Sequence, residues 1–419
     1  MKAPFKWDIY SDQPHQLKDK NFKSSMRKKE LKSLIKTYLI GAITIPISLV
    51  SMPFVKRKEI NSSDFFSIGV DFQRSATQTV ELIEELELER VLVRFKLWEM
   101  DSLEELKDFI LKMQDKKVIL KIMQDRENIE DLALLEKNLK TIFSTLDNLI
   151  DIYEIGTTIN RAKWGFFSVK EYNQFYKVAY KLKLEEFQNI KLIGSGVIDF
   201  EYHFTAHTLF NFDKYRYDGV SALLYVDRRG APENMQLGFA LSDKIALLST
   251  MVWQSPKTEH SLHITETNWP ITETAPYAPT SEKECVDEEH YANYMLRYYL
   301  LTFASQQVDT LSWHQLIARG YGLIDDIDGF RKRSAFMTFK FMVQTLKNAQ
   351  FLRLDIKRGY YILQFLKDDK LLQIHWSLKP TTLKKEDYFT VYNKTHTLIE
   401  SDVLEINSSP IYIFIEDEN

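Results

Sequence analysis

The feature that most constrains this chain is a rhythm. From residue 65 onward, short apolar runs alternate with amphipathic stretches, and the alternation repeats eight times before residue 347. Strands are predicted over 65–72, 90–98, 117–123, 150–156, 190–197, 219–226, 262–267 and 310–317. Between them, 77–88 carries Val80, Leu82, Ile83 and Leu86 at helical spacing. Further helices are predicted over 103–113, 129–142, 169–184, 243–252, 291–303 and 334–346. Strands rich in Val, Ile and Leu, with little in–out alternation, suit a parallel sheet buried on both faces. Eight such units match the size of a (β/α)8 TIM barrel. Past Leu346 the pattern becomes short alternating strands at 351–356, 360–366, 371–377, 388–392, 397–399 and 411–415, broken by turns such as Lys357-Arg358-Gly359. The predicted fold is therefore α/β, a (β/α)8 TIM barrel with a small C-terminal antiparallel β domain. The expected division is a leader over 1–62, the barrel over 63–347 and the β domain over 348–419.

The leader differs in charge. Residues 1–60 hold 13 Lys/Arg against 5 Asp/Glu, a net of +8, and the remainder holds 42 against 54, a net of −12. Lys28-Lys29-Glu30-Leu31-Lys32-Ser33-Leu34-Ile35-Lys36 precedes an uncharged apolar run over 38–55, which Lys56-Arg57-Lys58 closes. Such a run approaches the roughly 20 residues that cross about 30 Å of hydrocarbon. If it spans, the basic excess before it keeps the N-terminus in the cytoplasm and the barrel outside. Pro46 and Pro53, with Thr44, Ser48 and Ser51, favour instead a strand or hairpin under the barrel, or a segment lying in the interface. Membrane contact over 28–58 and a membrane-associated location are expected, with a peripheral cytoplasmic protein as the alternative.

Several chemistries are excluded. A formal charge of −4 gives no reason to expect nucleic acid as a partner. A single cysteine, Cys285, forbids an internal disulfide or a Cys-based zinc cluster and reads as an inert thiol. The nine histidines lack metal-ligand spacing and no Gly-rich phosphate loop appears, so no metal and no cofactor are expected.

In a barrel of this kind, reactive groups sit at the C-terminal ends of the strands. Strand 7 reads Ser261-Leu262-His263-Ile264-Thr265-Glu266-Thr267-Asn268-Trp269-Pro270. By period two, Leu262, Ile264 and Glu266 share a face, which puts a carboxylate at the mouth and turns His263 away as a core histidine. Trp269 follows at once, and aromatic faces stack on sugar rings. Strand 4 reads Ile152-Tyr153-Glu154-Ile155-Gly156-Thr157-Thr158-Ile159-Asn160-Arg161-Ala162-Lys163-Trp164, and strand 8 ends in Ser312-Trp313-His314.

These segments resemble the clan A glycoside hydrolases, nearest to the xylosidases, iduronidases and exopolysaccharide-processing glycosidases of that clan. The resemblance covers residues 65–415. It includes Ser168-Val169-Lys170-Glu171-Tyr172, like the helix after strand 4, and Ser408-Ser409-Pro410-Ile411-Tyr412-Ile413, like the closing strand. It implies a retaining mechanism with Glu266 as nucleophile. It also implies a carbohydrate polymer or oligosaccharide as partner, met by Arg94, Asn160, Trp164, Tyr225, Trp269, Trp313 and His314. Tyr225 would bond the nucleophile, and Arg94 would position it or neutralise Glu154. The sequence departs from the family at strand 4, where Asn-Glu-Pro is replaced by Thr157-Thr158-Ile159. Thr158 falls at the acid/base position, and threonine cannot protonate a leaving group. Glu154, four residues earlier, lies roughly 13 Å deeper along a strand. A retaining pair needs carboxyls about 5–5.5 Å apart. Glu154 is therefore read as a structural carboxylate, with the loop at 280–284 as another place for an acid. A carbohydrate-binding pseudo-glycosidase in polysaccharide assembly is the alternative to an impaired hydrolase.

Overall fold

Eight parallel strands close on one another in sequence order, with β8 pairing to both β7 and β1. They are β1 (Phe66–Val70), β2 (Arg90–Lys96), β3 (Lys117–Met123), β4 (Ile152–Ile155), β5 (Lys191–Ile198), β6 (Gly219–Leu223), β7 (Leu262–Ile264) and β8 (Thr310–Trp313). The computed structural model that gives this arrangement describes residues 2–55, 57–226 and 230–416. Burial on both faces explains the unbroken apolar runs, since outward side chains meet helices and inward ones meet each other. Inside the barrel, Leu92, Ile119, Ile152 and Ile193 form an apolar layer. Two residues further along each strand the same face returns, and it is polar: Arg94, Lys121 and Glu154 stand side by side in register on β2, β3 and β4.

The expected helices are present within a few residues of their predicted bounds, Ser334–Leu346 to the residue, except that 129–142 is divided at Asp131 into Arg126–Glu130 and Leu132–Thr145. A helix between β5 and β6, Tyr202–Leu209, went unread because it is short and its mixed histidines and threonines give it little amphipathic signal. At the C-terminus a five-stranded antiparallel sheet runs in the order Gln350–Lys357, Tyr360–Lys367, Lys370–Ser377, Ile411–Ile415, Phe389–Asn393. A second pair joins Thr381–Lys384 to Val403–Ile406, whereas the predicted strand at 397–399 makes only an isolated bridge through Leu398. The five-stranded sheet packs on barrel helices through Phe303 against Phe365 and Phe341 against Tyr412, with ring centroids 5.8 and 4.7 Å apart.

The leader belongs to the same body. Trp7–Asp8 pairs antiparallel with Gln13–Pro14 in a hairpin, followed by α1 (Lys20–Lys29), which Asp19 caps, and α2 (Leu31–Ser51). A single turn, Met52–Phe54, ends the run. By length and composition, Leu31–Phe54 is apolar enough to cross a membrane. Here it lies along the barrel flank, against α3 (Tyr202–Leu209) and α4 (Leu241–Gln254). Small residues allow that approach: a Cβ on Gly41 would stand 2.5 Å from the His203 Cβ. Pro46 does not break the helix, because it sits on the exposed side where water can serve the carbonyl it leaves unpaired. Lys56 lies outside the described residues.

Candidate active site

Above the polar layer, which reaches it through Arg94, a cavity of about 360 Å³ lies at the C-terminal ends of the strands. Glu266 lines it. β7 ends at Ile264, so strict alternation ends there as well. Leu262 and Ile264 pack in the outer core, while Thr265 turns inward and donates to Glu154 Oε1 at 2.9 Å. Glu266 reaches the cavity because the chain leaves the strand, not because it shares the face of Leu262 and Ile264. His263 lines a separate cavity at the opposite end of the barrel with Ile152 and Ile193, and burial pushes its ring down to about 4.

One oxygen of Glu266 accepts from the Tyr225 hydroxyl at 3.0 Å, and the other lies 3.4 Å from Lys121 Nζ. The same ammonium lies 3.5 Å from Glu154 Oε2. Burial alone would push the Glu266 carboxyl up, but His314, Lys121, Arg94 and the Tyr225 hydroxyl overcome it and hold the group at about 2. Burial holds His314 itself down to about 3. At neutral pH that imidazole is uncharged, which leaves Lys121 and Arg94 as the cations that keep Glu266 ionised. Glu154 moves the other way: it is fully buried, and burial pushes its carboxyl up despite Lys121. Its basic partner is thus Lys121 and not Arg94. Lys121 was the missed residue here, although a lone charge in Lys117–Met123, past its first residue, was a visible signal.

Arg94 is committed elsewhere. It donates from Nη1 to Asp12 Oδ2 at 2.5 Å and from Nη2 to the Asp12 carbonyl at 3.3 Å. Asp12 is at the turn of the leader hairpin, which folds over the cavity mouth. Trp7 packs against Trp98 and Trp164, Lys163 donates to Gln13 at 2.5 Å, and Gln13 donates to the Pro279 carbonyl at 3.0 Å. The leader thereby bridges the loops after β4 and β7. No local pattern in the sequence announced this contact.

Thr158 also lines the cavity, with its backbone in the left-handed region at φ +51°. That conformation is unfavourable for a β-branched residue and costs about 1–3 kcal/mol. Gln124 fixes the turn, accepting from the Thr157 N–H at 2.9 Å and donating to the Thr157 and Trp164 carbonyls. The Thr158 hydroxyl lies 3.3 Å from that of Thr157. Among the described residues, the carboxyls lining the cavity are Glu266, Asp8 and Asp12. The loop at 280–284 contributes Thr280 to the lining, while Glu282 turns away to accept from the Glu273 N–H.

The cavity thus gathers Arg94, Thr158, Trp164, Tyr225, Glu266 and His314. Three expected residues are not in it. Trp269 and Trp313 are buried and stacked with centroids 5.9 Å apart, donating to the Gly230 carbonyl and the Tyr291 hydroxyl. Their neighbours Asn268 and His314 line the cavity instead. Asn160 spends its side chain on the end of β5 and the loop after it, donating to the Ile198 carbonyl and to Glu201. Residues 227–229, just after Tyr225, lie outside the described residues.

The Asp12–Arg94 bond predicts a measurable latch. Asp12→Asn should lower unfolding free energy by about 1–3 kcal/mol in urea titrations, as expected for a lost charged hydrogen bond. It should also speed proteolytic nicking between residues 2 and 18; unchanged stability and nicking would deny the latch.

No family model matches the sequence, and no curated protein matches it. Solved structures do match. A family 39 glycoside hydrolase from Bacteroides cellulosilyticus WH2 aligns with a TM-score of 0.68 at 14% identity, over 86% of this chain and 82% of that one. A GH39 β-xylosidase from Caulobacter crescentus aligns at 0.58 and 12% identity, over 86% and 98%. A GH30 endoxylanase from Clostridium papyrosolvens C71 aligns at 0.56 and 9%, over 86% and 97%. The chain has the fold of the clan A glycoside hydrolases, barrel and β domain together.

Proposed function

We propose that this protein is a glycoside hydrolase-like protein acting on a surface polysaccharide or oligosaccharide, with Glu266 as the nucleophile of a retaining reaction. The observation that carries the reading is the Glu266 carboxylate, which lines the cavity with one oxygen on the Tyr225 hydroxyl and the other near Lys121. In this reaction a Glu266 oxygen bonds to the anomeric carbon as the glycosidic C–O bond breaks, and the leaving oxygen departs with the electron pair. Water then cleaves the glycosyl ester. The leaving oxygen needs a proton, and the Thr158 hydroxyl is no acid at neutral pH. Unactivated glycosides are therefore turned over slowly, while glycosides with good leaving groups escape the defect.

Thr158 and the hairpin across the mouth favour a second reading, a carbohydrate-binding pseudo-glycosidase. Incubation with a panel of activated fluoro-sugar glycosides, followed by intact-mass spectrometry, separates the two. A glycosyl adduct that maps to Glu266 and disappears in Glu266→Gln is expected. Polysaccharide binding without any adduct across the panel would leave the second reading standing.

A further inference from the structure

Helix α2 is inside out. A helix on a soluble protein turns its apolar stripe to the core and its polar side to water. Here the fully buried residues are small and mostly polar, Ser33, Thr37, Gly41 and Ser48, with Ile40, Ile45 and Leu49 half-buried against the barrel core beside them. The polar ones are satisfied there, Thr37 with His207 Nδ1 at 2.8 Å and Ser48 with Gln254 at 2.7 Å. At the joint before the helix, buried Glu30 accepts from Ser168 at 2.7 Å. The outward side nevertheless holds a row of large apolar residues. Leu39 is 60% exposed, Ile43 64%, Ile47 55% and Val50 75%, and Phe54 in the following turn is 76% exposed. No charge falls between Lys36 and residue 56.

The charge lies at one end of this stripe. Lys20, Lys23, Arg27 and Lys28 on α1 share a groove with Leu31 and Leu34 of α2. Lys29, Lys32 and Lys36 are exposed nearby. Among the described residues none of these seven cations has an ion-pair partner within 4 Å, in a body whose other basic residues are widely paired. An apolar row with uncompensated cations beside it is complementary to an anionic lipid surface, whose acyl boundary takes the row and whose phosphates take the lysines.

We infer that the outward face of α2 docks flat into the interface of an anionic bilayer, with the α1 cations on the headgroups and the barrel resting on the membrane. The helix does not cross. Crossing would strip Thr37, Ser48 and Gly41 from the partners their side of the helix is built to meet. This inference stands apart from the carbohydrate reading and does not need it.

The test uses the full chain and sedimentation with two vesicle types, phosphatidylcholine alone and phosphatidylcholine with phosphatidylserine. Binding should be at least about tenfold tighter to the anionic vesicles and should fall at high salt. Ile43→Asp with Ile47→Asp should abolish it, and Lys28→Glu with Lys29→Glu should remove the anionic preference. Both pairs point to solvent, so thermal unfolding should not move. Alkaline carbonate should release the bound protein. Retention after carbonate would mean a span, and would overturn flat docking. No vesicle binding, or self-association through the face that Ile43→Asp with Ile47→Asp abolishes, would overturn the lipid assignment.

Discussion

Thr158→Glu is expected to raise turnover of unactivated glycosides that the protein already binds by about 10²–10⁴-fold, the usual contribution of a general acid/base. The position suits the change. Thr158 lines the same cavity as Glu266. The backbone favours it too: at φ +51° an unbranched glutamate is less strained than a threonine, so the substitution should not destabilise the turn. The gain should depend on the leaving group. Formation of the glycosyl-enzyme from activated glycosides, read from the pre-steady-state burst, should barely change because their leaving groups need no proton. Breakdown of that intermediate should speed up, since water attack uses the same residue as a base. A folded Thr158→Glu protein with no gain on unactivated substrates would remove Thr158 from the acid/base position, whatever else Glu266 does.

The fold was legible because its signal is redundant. Eight apolar runs, each buried on both faces, and the helices between them make the same statement many times, so errors of a few residues at strand ends do no harm. Of the candidate residues, Glu266 and Tyr225, each two positions past a strand end, are brought together at the cavity with Arg94, Thr158, Trp164 and His314. The reading of the site failed where chemistry stood in for geometry: Trp269 was expected at the cavity because it is aromatic and follows Glu266, but it is buried against Trp313, and Asn268 lines the cavity instead. The leader was hardest to read. The bond from Asp12 to Arg94 crosses 82 residues of sequence, and no periodicity records such a contact. Helix α2 was read correctly as apolar, but a hydropathy profile does not tell which side of a helix carries the apolar residues inward. Here small residues take the fully buried positions and leave a row of large apolar ones exposed.

Lys121→Met should produce the largest loss of stability of any single substitution in the site, about 3–5 kcal/mol by urea unfolding at neutral pH. The ammonium is buried between two carboxylates, Glu154 fully enclosed and Glu266 14% exposed at the cavity. A methionine fills the volume, so the cost is electrostatic rather than a cavity. The pH dependence follows from the sign of the shift. Glu266 ionises near 2 in the folded chain, below its unfolded value of about 4.3. Its contribution to stability is therefore present above that unfolded value and is lost as pH falls toward 2. Without Lys121 that contribution shrinks, so the variant should lose less stability than the parent between neutral and acid pH. The labelling rate with activated fluoro-sugars should fall at a higher pH in the variant, because the nucleophile takes up its proton sooner. Adding Glu154→Gln should recover part of the stability by removing one of the two stranded carboxyls, yet leave the labelling profile displaced. That split separates the two duties of one lysine, neutralising a buried pair and keeping the candidate nucleophile ionised. If Lys121→Met cost less than about 1 kcal/mol and left the labelling profile in place, Arg94 alone would be enough to hold the charge of Glu266.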